Sequence, residues 1–164
     1  MTRIITYGTF DLLHIGHLNL LERLRAMGDE LIVGVSTDAF NDIKGKKAVM
    51  AYEDRVRLVA ALRCVSSVLP EEDWAQKEHD IQRLRVDVLA MGDDWEGRFD
   101  HFKQFCEVVY LPRTDGISTT FLRETIAERS GFVSVTPDAH EVISIQSRPT
   151  ASVPPTPTNW RETA

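Results

Sequence analysis

Arg3-Ile4-Ile5-Thr6-Tyr7-Gly8-Thr9-Phe10-Asp11-Leu12-Leu13-His14-Ile15-Gly16-His17 decides how this chain folds. The apolar run from Arg3 to Tyr7 reads as a strand, and the pattern from Ile15 to Met27 reads as a helix that ends at the Gly28-Asp29 break. A strand feeding directly into a helix is the first half of a βαβ unit. The turn between them carries two histidines three residues apart, a spacing that puts both on one side of a helix, so His14 and His17 can converge on one ligand near the helix start. The first N–H groups of a helix lack intrahelical partners and, with the macrodipole, favour an anion such as phosphate. Gly16 removes a side chain where a bulky ligand would otherwise collide with the backbone. Two surface residues or a packed edge have the same spacing, and this stretch alone does not choose between them.

Working outward, the alternation continues. Glu30 to Ser36 reads as strand, Tyr52 to Leu62 as helix, Val65 to Leu69 as strand, Gln76 to Leu84 as helix, Val86 to Met91 and Glu107 to Leu111 as strands, and Ser118 to Arg129 as helix. Such βαβ alternation predicts an α/β fold: a Rossmann-like, doubly wound, mainly parallel sheet with helices on both faces, in a single domain over residues 1–130. In open sheets of this kind ligands sit beyond the carboxyl ends of the strands. The segments after Tyr7, after Met91 and after Leu111 all fall there, so three distant stretches are expected to share one pocket.

Composition bounds the partners. At 164 residues and 18.6 kDa the chain holds one ordinary domain plus a tail. A net charge of -6 argues against a general nucleic-acid or anionic-membrane surface, so a bound polyanion needs a local cluster of cations. The absence of a long apolar run predicts no membrane insertion, and the N-terminus lacks a leader's apolar core; a cytoplasmic protein is expected. Cys64 and Cys106 are too few and too far apart for a disulfide framework and read as ordinary buried thiols. Five of the seven prolines, Pro137, Pro149, Pro154, Pro155 and Pro157, mark residues 131–164 as a proline-rich C-terminal tail expected to be largely flexible, in which Val142, Ile143 and Ile145 form one short strand or pack on the body.

Three further segments carry chemistry. Arg113-Thr114-Asp115-Gly116-Ile117-Ser118-Thr119-Thr120 leads into the last helix with three hydroxyls, a glycine for a tight turn and the donor fork of Arg113. A plain helix cap uses the same residue types. Lys44-Gly45-Lys46-Lys47, in the loop after Ser36-Thr37-Asp38, and Lys77 further on concentrate cations in an acidic chain, though an isolated run of this kind is also found as a solvated loop. It is not a Walker loop, and the chain has no GxGxxG fingerprint. Met91-Gly92-Asp93-Asp94-Trp95-Glu96-Gly97 offers carboxylates and an aromatic face; Asp93 and Asp94 suit a metal, a ribose or simple turn capping. Asp54-Arg55 and Arg63 read equally as orienting groups or as helix surface.

GTFDLLHIGH at 8–17, KGKK at 44–47, YEDR at 52–55, MGDDWEG at 91–97 and RTDGISTT at 113–120 together resemble the glycerol-3-phosphate cytidylyltransferase family, within the HxGH nucleotidyltransferase superfamily that also holds the phosphocholine and phosphoethanolamine cytidylyltransferases. The likeness spans residues 1–130. It implies transfer of CMP from CTP to sn-glycerol 3-phosphate by direct in-line attack, giving CDP-glycerol, a precursor of teichoic acid or another glycopolymer, and pyrophosphate. By matching positions it implies catalytic roles for His14, His17, Lys44, Lys46 and Arg113. It places Thr9, Phe10, Ile15 and Gly16 with the histidines on CTP. Lys46, Asp94 and the run Arg113, Thr114, Asp115, Gly116, Ile117, Ser118, Thr119 and Thr120 are likewise implied to bind the nucleotide. Lys44, Lys77 and Arg55 are implied to bind the acceptor. Mg2+ bridging the CTP phosphates, without a dedicated carboxylate cage, and a homodimer are also implied. The chemistry agrees, because a phosphate monoester has its second pKa at about 6 and attacks without a general base; what it needs is alignment and relief of charge.

Other readings use the same residues. The scaffold could serve another phosphate acceptor or ATP, or survive as a non-catalytic nucleotide-binding regulator, against which the intact histidines, lysines and RTDGISTT argue. A two-histidine metal enzyme lacks evident third and fourth ligands.

Overall fold

Five short apolar runs pair edge to edge in parallel, as the alternation requires. They are β1 (Arg3–Gly8), β2 (Glu30–Ser36), β3 (Ser67–Glu71), β4 (Val88–Gly92) and β5 (Glu107–Leu111), arranged β3-β2-β1-β4-β5 with every neighbouring pair parallel. The computed structural model describes residues 1–129; the proline-rich tail and the Val142-Ile143-Ile145 element expected there lie outside the described residues. The chain runs outward from β1 through β2 to β3, then returns to place β4 beside β1 and continues to β5. Winding therefore reverses between β1 and β4, and there the loops leaving the two strands diverge and open a crevice.

Each face of the sheet buries its own core. Ile4, Leu31, Val33, Val35, Val88 and Ala90 point to one side, where they meet Leu21 and Leu24 of α1 (Ile15–Arg25) and Val59 of α3 (Tyr52–Ala60). Ile5, Tyr7, Ile32, Leu89 and Met91 point to the other, against Ile81 of α4 (Gln76–Leu84) and against Phe99 and Phe102. The period-two alternation of β1 is thus apolar on both faces, as expected for a central parallel strand covered on both sides. Gly34 has a specific reason to be glycine: a Cβ there would stand 2.2 Å from the Tyr7 ring, which lies across β2.

The structure departs from the sequence reading at short elements. A helix, α2 (Asp38–Ile43), occupies what reads as loop, capped by the Thr37 hydroxyl, which accepts from the Phe40 N–H at 3.2 Å. Six residues are too few to show a helical period. Two 3-10 turns, Asp93–Trp95 and Asp100–Gln104, join β4 to β5, and α5 is Thr119–Arg129. Cys64 and Cys106 are half-buried at the margins of the two cores rather than buried, and desolvation raises both thiols, leaving them unreactive. No helix among the described residues is long and apolar enough to cross a membrane.

Candidate active site

The loop leaving β1 is strained, and its neighbours hold it. Phe10 and Leu12 sit at φ 52° and 48°, in the left-handed region that costs a residue with a Cβ about 1 kcal/mol. Phe10 is anchored by its ring, 4% exposed in the core. Asp11 accepts from the N–H groups of Val49 and Met50 at 2.8 and 2.9 Å and from Arg123 at 2.6 Å. The Thr9 carbonyl accepts from Arg55 at 2.6 Å. These bonds to segments far away in sequence fix the loop at the switch point.

His14 and His17 form one unit. His14 is the N-cap of α1, with extended backbone, and its Nδ1 accepts from the Gly16 N–H at 3.1 Å. His17 is three residues on, and its Nδ1 accepts from the His14 N–H at 3.3 Å, closing a reciprocal capping box. The rings stack with centroids 3.8 Å apart. Because both Nδ1 atoms accept, each ring carries its proton on Nε2. Burial, then repulsion from His14, pushes the His17 pKa down to about 4, and burial lowers that of His14. At neutral pH the pair consists of two uncharged donors. Gly16 earns its place differently from expectation: a Cβ would meet His14 Cε1 at 2.9 Å and Ile117 Cγ2 at 3.0 Å, so the glycine makes room for the histidine ring and the facing wall as well as for any ligand.

A cavity of about 510 Å³ opens above the switch point. Thr9, Phe10, His14, Gly16 and His17 line one wall, and Asp94, Arg113, Thr114, Ile117, Ser118, Thr119 and Thr120 line the other, with Lys46 at the rim. The second wall is the start of α5, where the Ser118 hydroxyl accepts from the Phe121 N–H at 3.0 Å and the Thr119 hydroxyl donates to the Asp11 carbonyl at 3.0 Å. Two helix N-termini therefore face one space, each with its positive dipole end; at α1 the Gly16 and His17 N–H groups are already taken by His14, so the donors offered there are the Nε2–H groups of the two rings. Arg113 is held by Asp94 at 2.6 Å in an exposed pair, of the kind worth at most about 1 kcal/mol, so a phosphate can take it over. Asn19 donates to the Thr114 hydroxyl at 3.4 Å and ties the two walls together.

Several predicted residues stand elsewhere. Ile15, Asp115 and Gly116 do not line the cavity; Gly116, at φ 76°, makes the turn before α5. Arg55, wholly buried, spends its guanidinium on Thr9 O, Ser36 O, Met50 O and Asp38 Oδ1, so it supports the loop rather than contacting a ligand. Lys44 and Lys77 are not on the cavity wall; they converge on Glu71 beside Tyr7, a residue that does line it.

Lys47, part of the predicted cation cluster, and Trp95, the predicted aromatic face, line the cavity together with Arg123, which the sequence reading did not single out, and Asp11, already part of the quoted turn, ties Arg123 and the 49–50 backbone to it. Lys46, Lys47, Arg113 and Arg123 outnumber Asp11 and Asp94 there, which gives the cavity the positive potential the acidic chain needs for a polyphosphate. The signal for Arg123 was its place four residues after Thr119, on the same side of α5. Among the described residues no group of three His, Cys, Asp or Glu side chains stands close enough to hold a metal ion, and Asp11 and Asp94 are each paired with an arginine.

Comparison with known proteins agrees with this geometry. A family model described as cytidylyltransferase-like matches residues 5–125. A glycerol-3-phosphate cytidylyltransferase of Bacillus subtilis (strain 168) is 57% identical over 127 residues, covering 77% of this chain and 98% of the relative. One of Staphylococcus aureus (strain NCTC 8325 / PS 47) is 55% identical over 126 residues, covering 77% and 96%. In fold, the chain is similar to the crystal structure of the lipopolysaccharide core biosynthesis protein from Thermoplasma volcanium GSS1, with TM-score 0.61, 23% identity and coverage of 70% of this chain and 99% of that one.

Proposed function

Because the chain belongs to the cytidylyltransferase-like family, we propose that it transfers CMP from CTP to sn-glycerol 3-phosphate, forming CDP-glycerol and releasing pyrophosphate. An oxygen of the acceptor phosphate attacks the α-phosphorus, and the bond to the bridging oxygen of the β-phosphate breaks. The observation that carries this reading is the pair of helix N-termini converging on one cationic cavity whose two histidines are neutral donors. An acceptor phosphate with its second pKa near 6 is already a nucleophile at neutral pH, so no base is needed. Charge building on the α-phosphate and on the leaving pyrophosphate is met by the Nε2–H groups of His14 and His17, the positive dipole end of α1, the first N–H groups of α5, and Lys46 and Arg113. The walls hold donor and acceptor in line, which spares the entropy of bringing two anions together.

Lys44 and Lys77 hold the acceptor phosphate in this reading, at the edge of the cavity marked by Tyr7. Mg2+ fits as an ion carried by the CTP phosphates and its own waters, because the free carboxylates of a protein cage are lacking among the described residues. When bound it neutralises phosphate charge. The catalytic unit spans residues 1–130, acts in the cytoplasm and pairs as a homodimer. Pyrophosphate release with CTP, Mg2+ and a panel of phosphate monoesters tests the proposal. Release is expected with glycerol 3-phosphate, and its absence, or equal rates with ATP, refutes it.

A further inference from the structure

Behind the cavity lies a buried charge cluster that the mechanism above leaves half used. Glu71, at the end of β3 and 3% exposed, accepts from Lys77 through Oε1 and, through Oε2, from the Ser36 hydroxyl at 2.5 Å and Lys44 at 3.4 Å. The Lys44 ammonium also donates to Ser36 Oγ at 2.7 Å. Strand register sets Glu71 directly beside Ser36, and α4 delivers Lys77, itself fully buried. Trp74 covers the group, its ring 5.2 Å from Lys77 Nζ and 6.0 Å from Lys44 Nζ. Among the described residues Glu71 is the only carboxylate paired with either ammonium. Two cations thus share one anion, and the largely buried cluster carries one positive charge in excess, which a further anion would balance.

We propose that Glu71 is a positioning residue for the acceptor: held by Ser36, its carboxylate draws the ammonium groups of Lys44 and Lys77 to one point, and the acceptor phosphate binds there as the second anion they share. The inference rests on the reading that these two lysines hold the acceptor. Its physical content is charge maintenance. Desolvation lowers the Lys44 pKa, the Lys77 and Lys46 charges push it further down, and the Glu71 carboxylate opposes them. The remaining charged and titratable groups around the cluster are Tyr7, which donates to Asp80 of α4 at 3.1 Å, and Arg83 and His79, which approach that same carboxylate. None of them supplies an anion to the lysines. With Gln in place of Glu71 that opposition is gone, two ammonium groups would face each other without their shared anion, and Lys44 would give up its proton more readily until the phosphate arrived. Acceptor binding would then be coupled to proton uptake.

The test is the acceptor KM measured by pyrophosphate release from pH 6.5 to 9 at saturating CTP, in the wild type and in Glu71→Gln, Glu71→Asp, Lys44→Ala and Lys77→Ala. In the wild type the acceptor KM is expected to be flat above pH 7. In Glu71→Gln it is raised about tenfold or more, with the CTP KM unchanged, and climbs with pH towards about tenfold per pH unit. Glu71→Asp keeps the counter-charge but not the reach, so it raises the acceptor KM without the pH slope; it carries the test by itself should Glu71→Gln not fold. An acceptor KM within twofold of wild type in the Glu71 variants overturns the proposal. So does a raised but pH-independent KM in Glu71→Gln, the mark of a displaced pocket rather than a lost charge. If Lys44→Ala and Lys77→Ala raise the acceptor KM and the Glu71 variants do not, the inference alone fails. If neither lysine variant moves it, the acceptor is bound elsewhere and the underlying reading fails as well.

Discussion

Replacing His17 with Asn tests whether the histidine pair works as neutral donors. The side chain of Asn can still accept from the His14 N–H through Oδ1, but it has no counterpart of the Nε2–H and cannot titrate. The native pKa of about 4 against 6.5 in the unfolded chain means that folding holds this imidazole neutral while the unfolded state takes up a proton. The sign follows: above pH 6.5 the histidine imposes no penalty, and as pH falls from 6.5 towards 4 wild-type stability drops by about 3 kcal/mol that the variant does not lose. Urea unfolding of both proteins at pH 7, 5.5 and 4.5 reads this directly, since His14 and the carboxylates titrate in both and cancel in the difference. In turnover, loss of one donor to developing charge lowers kcat by about 10²- to 10³-fold at pH 7.5. The wild-type rate stays level from pH 8.5 to 6.5 and falls below that, as the acceptor phosphate takes up its proton near pH 6. Stability curves that run parallel down to pH 4.5, or a wild-type rate that climbs on acidification from pH 7.5 to 6, would mean that an imidazolium does the work and that the neutral assignment is wrong.

Gly16→Ala puts a methyl 2.9 Å from the His14 ring and 3.0 Å from Ile117, so kcat falls about a hundredfold while urea unfolding shows a loss of only about 1–3 kcal/mol. Arg55→Lys cannot reproduce the four acceptors that the guanidinium satisfies, and thermal unfolding is expected to record a loss of about 3 kcal/mol, close to 10 °C. Chelation of Mg2+ by EDTA abolishes pyrophosphate release, and added Mg2+ restores it without a change in far-ultraviolet circular dichroism. A chain ending at Ser130 keeps kcat/KM for CTP within about threefold of the full chain in the same assay, less than 1 kcal/mol of transition-state binding.

How legible this molecule is depends on whether a residue acts through its neighbours in sequence or across the sheet. The parallel sheet was legible because the central strands are apolar on both faces and alternate with helical patterns, so strands Glu30–Ser36 and Glu107–Leu111 and helix Gln76–Leu84 have the bounds that the sequence suggested. The histidine pair was legible because its geometry is local: His14 caps the helix that His17 belongs to, and the chemistry sits within four residues. Lys44, Lys77, Arg55 and Glu71 belong to the other kind. In sequence Glu71 reads as an ordinary charged residue, and Lys44, Lys77 and Arg55, though singled out as cations, show nothing of the partners that bury them, since such residues are rarely buried unless paired. Their partners come from β2, β3 and the helices that follow, brought together only by register, as when Ser36 is set beside Glu71. Yet α4 carried a usable signal. Its buried residues are Lys77, Asp80 and Ile81, at spacings of three and four on one face, so a lysine four residues before a core isoleucine was pointing inward from the start. A charged residue in phase with an apolar stripe must find a polar partner inside the fold, and on α4 both do: Asp80 accepts from the Tyr7 hydroxyl and Lys77 pairs with Glu71.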